Sequence, residues 1–261
     1  MPVTIHDLRE WRARDERFAM VTAYDAGTAR ILDDAGIPVL LVGDSLAQVV
    51  LGYPTTLPVT LDEMLHHARA VARGAKNALL VGDLPFGTYH ASESDAITNA
   101  VAFLQAGMHS VKLEGHRPAL VSALTRQGIP VMGHLGLTPQ HVHAFGGYRV
   151  QGRGDQAETV LRAAVDLQEA GAFAVVLECV PAALGARITE ALDVPTIGIG
   201  AGPGTSAQVL VLHDLLGLTA GPAPRFVKRY ADMGADIATA VQAFAKEVAE
   251  GAYPAAGHVY D

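Results

Sequence analysis

Eight short apolar runs, most of them closed by a polar or acidic residue, constrain this chain more than any other feature. They are residues 18–25 (FAMVTAYD), 39–44 (VLLVGD), 78–83 (ALLVGD), 110–114 (SVKLE), 130–134 (PVMGH), 174–178 (AVVLE), 195–200 (PTIGIG) and 209–213 (VLVLH). Each has the length of a strand, and near-continuous apolar character is the mark of a parallel strand covered on both faces. Between the runs lie amphipathic patterns rich in Ala, Leu, Glu and Arg. In residues 157–170, Val160, Leu161, Ala164, Val165 and Leu167 fall toward one side, and Gly171 follows as a helix-ending glycine. Residues 92–106 and 118–127 read similarly. Thr4-Ile-His-Asp7 predicts a capped helix within residues 1–17, with Leu8 and Trp11 on its inner face. The repeat of Ile237, Val241, Phe244 and Val248 predicts a closing helix that stops at Gly251.

Strands alternating with helices over 261 residues predict the α/β class: a (β/α)8 TIM barrel as a single domain over 1–261. Its N-terminal helix lies in 1–17, and its C-terminal helix and tail in 236–261. Long βα loops follow strands 2 and 5, at residues 45–60 and 135–156, where a barrel keeps its substrate lids. A doubly wound sheet is the competitor, weakened because acids end several different strands.

Composition narrows the class. Half the residues are hydrophobic, which excludes disorder. There are 19 Lys+Arg against 27 Asp+Glu, a net charge of −8 without basic clusters, which argues against nucleic-acid and anionic-membrane partners. The single cysteine suits a reducing compartment. No apolar run reaches the roughly 18 residues of a membrane span, and residues 1–17 are charged where a signal peptide is apolar. A soluble, cytoplasmic protein is expected.

The chemistry is expected at the strand ends. Asp44, Asp83, Glu114 and Glu178 close four separate runs, and in a barrel all four project into one mouth. A carboxylate ending an apolar strand is costly unless paired, hydrogen-bonded or bound to metal. Such acids without a Cys or His cluster suit a hard cation, Mg²⁺ before Zn²⁺. For any single acid, capping the following helix is the plainer role. Lys112 shares the face of Glu114 by the period of two. It reads as a clamp for a substrate carboxylate, a Schiff-base lysine, or a salt-bridge partner of Asp83 or Glu114. His134 ends the fifth run, where a substrate contact competes with a core histidine. His66-His67 fall in a helix, and His141 and His143 lack companions at metal spacing. Gly202–Ala207 matches the dinucleotide fingerprint but comes late and lacks the later acid, so it reads as a sharp turn after the seventh strand. Arg153-Gly-Asp155 spells an adhesion tripeptide that a cytoplasmic barrel has no use for. Cys179 is expected to point into packing rather than act as a nucleophile.

These stretches resemble the ketopantoate hydroxymethyltransferase (3-methyl-2-oxobutanoate hydroxymethyltransferase) family almost end to end. The resemblance rests on TAYD (22–25), LVGDS (41–45), TLPVT (56–60), DLPF (83–86), VKLEG (111–115), GHLGLTPQ (133–140), GGYRVQGR (146–153), LECVP (177–181), IGIGAG (197–202), FVKRYAD (226–232) and GAYP near the end. It implies a Mg²⁺-dependent transferase of pantothenate biosynthesis. That enzyme moves a hydroxymethyl group from 5,10-methylenetetrahydrofolate to 3-methyl-2-oxobutanoate through a Mg-stabilised enolate. Asp44, Asp83 and Glu114 carry over as the metal site. Asp44, Ser45, Asp83 and Lys112 carry over as keto-acid contacts, and Glu178 as the catalytic base. His134 is added as a group that orients the keto acid or relays a proton. A homo-oligomer, commonly a decamer, is implied. The chain departs from the family pattern at Ala47-Gln48, Pro54 and His116-Arg117, none of them a named ligand. Two other readings are a Mg²⁺-dependent C–C lyase or mutase, which would want a cysteine in a mobile loop, and a keto-acid-binding protein without turnover, which would not need Glu178.

Overall fold

The computed structural model describes residues 2–219 and 221–260, so Met1 and Asp261, the outer ends of the expected terminal segments, lie outside the described residues. The chain forms two compact units, Met1–Val211 and Leu212–Asp261.

The first unit holds a closed barrel of eight parallel strands in sequential order. They are β1 (Phe18–Thr22), β2 (Val39–Val42), β3 (Leu79–Asp83), β4 (Ser110–Glu114), β5 (Val131–Gly136), β6 (Ala174–Glu178), β7 (Thr196–Ile199) and β8 (Ala207–Leu210). Its helices are α1 (Ile5–Ala13), α2 (Ala26–Asp34), α3 (Leu46–Val49), α4 (Leu61–Gly74), α5 (Glu93–Gln105), α6 (Pro118–Arg126), α7 (Val142–Phe145), α8 (Gln156–Glu169) and α9 (Ala182–Ala191). The (β/α)8 expectation is met, with two local differences. β8 starts two residues before the expected run, and no helix separates it from β7. Residues 200–206 alone make that crossover, and the fingerprint-like glycines lie in it. Gly202 takes φ +79 with no room for a Cβ against Ala182, and a Cβ on Gly204 would lie 2.7 Å from that of Ala186. The glycines let the turn press onto α9, which accounts for them by packing.

Two apolar layers follow from strands buried on both faces. The inner one gathers Met20, Val39, Leu41, Leu79, Val81, Met132, Phe173, Val176, Ile197 and Val209. Leu8 of α1 is wholly buried in the same cluster, with Ile5 and Trp11 packed against it. Thr4 and Asp7 form the expected capping box, and the Val3 N–H donates to the Asn77 carbonyl just ahead of β3 at 2.6 Å. Thus α1 stoppers the N-terminal end of the barrel. The outer layer packs Phe103, Leu124, Leu167, Leu184 and Ile188 of the helices onto the strands. Both long loops are present and partly structured. The loop after β2 contains α3, and the loop after β5 contains a 3₁₀ turn (Pro139–His141) and α7. They meet where Gln48 Nε2 donates to Tyr148 Oη at 3.5 Å.

The second unit contains α10 (Leu212–Leu216) and α11 (Met233–Ala249). His213, read from the sequence as a strand end, lies in α10. The expected stripe on α11 is present, yet Ile237, Val241, Phe244 and Val248 are about half exposed (49–57%) rather than buried. Among the described residues no helix is long and apolar enough to cross a membrane.

One buried acid away from the barrel mouth organises the entry to β3. Asp33, near the end of α2, accepts from the N–H groups of Lys76 (3.0 Å), Asn77 (3.0 Å) and Ala78 (2.7 Å) and from Asn77 Nδ2 (2.9 Å). Burial alone would raise its pKa, but these donors outweigh it and hold the carboxyl below its ordinary value. Asp33→Ala strands several donors and is expected to cost about 2–3 kcal/mol in urea unfolding. A lowered pKa makes the charged form's contribution complete above the unfolded carboxyl value of about 4 and lost as pH falls through the folded one. The gap between wild type and Asp33→Asn should therefore be flat at neutral pH and narrow below about pH 4; a gap that widens on acidification would refute this.

Candidate active site at the barrel mouth

Register builds the site. The β3–β4 pairing sets Asp83 beside Lys112, and the β4–β5 pairing sets Glu114 beside His134. Lys112 Nζ lies 2.9 Å from Asp83 Oδ2 and 3.2 Å from His134 Nδ1. His134 stands between two acids, with Nδ1 3.4 Å from Glu114 Oε1 and Nε2 3.3 Å from Glu178 Oε2. Asp44, two residues beyond β2, donates its backbone N–H to Asp83 Oδ2 at 3.2 Å. The four strand-end acids, Lys112 and His134 therefore meet in one place. Ser45, half-buried, lies with its Oγ 2.9 Å from the Tyr24 hydroxyl. All of these titratable groups are buried except Glu178, whose side chain keeps 16% exposure.

Gly136 explains how Glu178 is held so close. It ends β5 at φ +91, and a Cβ there would collide with the Glu178 carbonyl oxygen. The next residue, Leu137, donates its N–H to that oxygen at 2.8 Å. Cys179 follows in the left-handed region (φ +46), so strand alternation no longer describes it. It is half-buried rather than packed away. Burial, then the Glu178 charge, push its thiol up to about 11, so it carries little thiolate.

The charges are tightly linked. Burial, then the charges of Asp83 and Glu114, push the Asp44 carboxyl well above its ordinary value. Burial also raises Asp83, with the Lys112 ammonium pulling the other way. Glu114 ends below its ordinary value because His134, Lys112 and the Gln140 N–H outweigh its burial. Burial would lower Lys112, but Asp83, Glu114 and Asp44 together raise it. His134 rises to about 9, since Glu114 and Glu178 overcome both burial and the Lys112 charge.

Two neutral residues to which the sequence analysis assigns no role hold this cluster in shape. Gln140, at the end of the GHLGLTPQ stretch, is buried. Its backbone N–H donates to Glu114 Oε2 (3.0 Å), and its Nε2 donates to Asp44 Oδ2 (3.0 Å) and the Leu84 carbonyl (3.0 Å). The Tyr89 hydroxyl donates to Gln140 Oε1 (2.5 Å) and accepts from the Glu114 N–H (3.2 Å). The one advance signal was position: a polar residue just past a strand end in the longer of the two loops.

Among the described residues no group of three His, Cys, Asp or Glu side chains forms a ready-made metal cage. The donor set still fits a hard divalent cation that keeps some of its waters. Asp83 has one oxygen tied to Lys112 while its Oδ1 is buried without a hydrogen bond, and Glu114 Oε1 faces only the His134 ring, 3.4 Å away. Asp44 has one oxygen tied by Gln140, and burial, then the Asp83 and Glu114 charges, raise its pKa despite Lys112. Asp44, Asp83 and Glu114 are thus the residues suited to hold Mg²⁺. Gln140→Leu removes the amide that aims Asp44 and is expected to weaken Mg²⁺ or Mn²⁺ binding about tenfold or more in calorimetric titration, the size of a hydrogen bond to a charged group. An unchanged affinity would show that Asp44 is aimed by other means.

The model of the ketopantoate hydroxymethyltransferase family matches residues 2–256. A 3-methyl-2-oxobutanoate hydroxymethyltransferase of Acidothermus cellulolyticus is 57% identical over 261 residues, covering 99% of this chain and 96% of the relative. One of Mycobacterium ulcerans is 53% identical over 261 residues, covering 99% and 88%. Among solved structures, a phosphonopyruvate hydrolase in complex with oxalate and Mg²⁺ superposes with TM-score 0.63 at 14% identity, covering 98% of this chain and 93% of that one. A 2,3-dimethylmalate lyase of the PEP mutase/isocitrate lyase superfamily gives 0.61 at 15%, covering 100% and 93%. These two likenesses are of fold. The family match and the close relatives, spanning nearly the whole chain, show that it belongs to the ketopantoate hydroxymethyltransferase family.

Proposed function

We propose that the protein is a Mg²⁺-dependent hydroxymethyltransferase that converts 3-methyl-2-oxobutanoate, 5,10-methylenetetrahydrofolate and water into 2-dehydropantoate (ketopantoate) and tetrahydrofolate. The observation that carries this reading is the convergence of Lys112, three buried acids and the solvent-touching Glu178 at one barrel mouth. Asp44, Asp83 and Glu114 hold the cation, which when bound supplies Lewis-acid polarisation of the keto acid's oxygens. Lys112 neutralises the keto acid's carboxylate, and Asp44, Ser45 and Asp83 line its seat. Glu178 removes the C3 proton as general base. His134, 3.3 Å from Glu178 Oε2, fixes one oxygen and leaves the other for that proton. The C3 electron pair forms a bond to the donor's methylene carbon. One of that carbon's two C–N bonds to the folate breaks as this bond forms and the other as water supplies the hydroxyl; both electron pairs stay on folate nitrogens, which take up the C3 proton and one proton from water. A lyase working through cysteine is disfavoured, because Cys179 is held as a thiol. In this reading the enzyme is a cytoplasmic homo-oligomer supplying pantothenate synthesis, with no nucleic-acid or membrane partner.

Two measurements test it. With Mg²⁺ and no folate in D₂O, the C3 proton of 3-methyl-2-oxobutanoate should exchange by NMR, and Glu178→Gln should slow this at least a hundredfold, the usual worth of a positioned base. Exchange that survives in Glu178→Gln removes Glu178 as base, and no exchange in wild type sinks the mechanism. Asp44→Asn and Asp83→Asn should each weaken Mg²⁺ binding in calorimetric titration.

A further inference from the structure

Beside the acid cluster, three loops of the barrel unit bring together cationic and donor groups that the reaction does not use. Arg117 follows β4 and lays its guanidinium over the Tyr89 ring, 5.3 Å from the centroid. Among the described residues its side chain has no ion pair or hydrogen bond. His90, in the loop after β3, packs on the Tyr89 ring at 4.2 Å and on Phe86 at 4.8 Å. Its Nδ1 accepts from the Gly87 N–H at 3.2 Å. The proton of the neutral ring therefore sits on Nε2, and that atom is buried without a partner. His141, in the loop after β5, has its Nδ1 buried without a partner too. A single point above Gly115 lies 3.8 Å from His141 Cε1 and 4.0 Å from Arg117 Nε, so both side chains approach the Gly115 turn. Burial, then the nearby Arg117 and His141, hold the His90 pKa below its ordinary value.

The nearby acids are already engaged. Glu114 is bound by Gln140 and His134, and Asp166 pairs with His116 at 2.7 Å. Arg117 and His141 are half-buried and Phe86 is 44% exposed, so the cluster opens to solvent. The unpartnered His90 Nε2–H and His141 ring, near a guanidinium without an ion pair and with an aromatic platform next to them, suit an anion carried on an aromatic stem. Tyr89 joins this cluster to the acids, since its hydroxyl binds Gln140 and its ring carries Arg117.

We propose that His90, Arg117 and His141 form a carboxylate-binding subsite on the rim of the barrel mouth, occupied by the glutamyl end of the folate donor, with its aminobenzoyl ring against Phe86. This rests on the proposed function for the identity of the donor, but its test does not depend on turnover. The full-length protein, with and without saturating Mg²⁺ and 3-methyl-2-oxobutanoate, is titrated calorimetrically with p-aminobenzoylglutamate and with its uncharged diamide. The diacid should bind about tenfold tighter or better, as a charge-assisted contact gives. Arg117→Gln and His141→Ala should each bring that ratio toward one, while circular dichroism shows both variants folded and Arg117→Lys retains part of the preference. Equal affinity of diacid and diamide for wild type, or a ratio that survives both substitutions, overturns the subsite. Glutarate and inorganic phosphate complete the series: if either binds as tightly as p-aminobenzoylglutamate, the site serves a free anion and the donor-tail assignment fails. A protein that made no ketopantoate would still answer these titrations, so failure of the reaction and failure of the subsite are read separately.

Discussion

A single buried ammonium holds the mouth of this barrel together. Lys112 stands among Asp83, Glu114 and Asp44, and its pKa is raised by all three despite its burial. Without it, neighbouring strands would present like charges to one another in an apolar setting, and breaking such a pair costs about 3–5 kcal/mol. The arrangement is economical because it comes from register: parallel pairing of β3 with β4 puts Asp83 next to Lys112, and β4 with β5 puts Glu114 next to His134. The same pairings that close the barrel thus assemble its chemistry. Lys112 and the raised His134 still leave the four acids in excess, and the proposed divalent ion would complement that remaining negative charge.

Much of the fold could be read from the order of residues because parallel strands buried on both faces leave a clear apolar signature. The runs at β3, β4 and β6 ended on the observed acid. The signature fails where the chain is not a regular strand–helix repeat. At β7–β8 a seven-residue turn replaces a helix, and the apolar run past Leu210 continues into α10, so composition alone misplaced the strand by two residues.

The candidate site was legible to the extent that charge in an apolar run demands an explanation. Asp44, Asp83, Lys112, Glu114, His134 and Glu178 stand out for that reason, and they do converge. Gln140 and Tyr89 carry no charge and sit in loops whose burial depends on distant partners, so nothing local marks them. Asp33 is missed for a related reason: an acid near a helix end normally faces water, and only the α4–β3 connection shows that its oxygens are occupied by backbone donors. The Arg117 cluster is the opposite case, assembled from three loops with no shared motif.

The α1 stopper has a consequence for traffic. With Leu8 sealed into the inner layer at one end, a molecule reaching the acid cluster enters past the loops at the other end and leaves the same way. A well with one opening fills from the bottom. In the proposed reaction, a small keto acid seated on Lys112 would have to arrive before a long pterin-bearing donor lay across it, and spent folate would have to lift away before the new alcohol could escape. On that proposal, the helix that closes the barrel floor sets a queue for the chemistry above it.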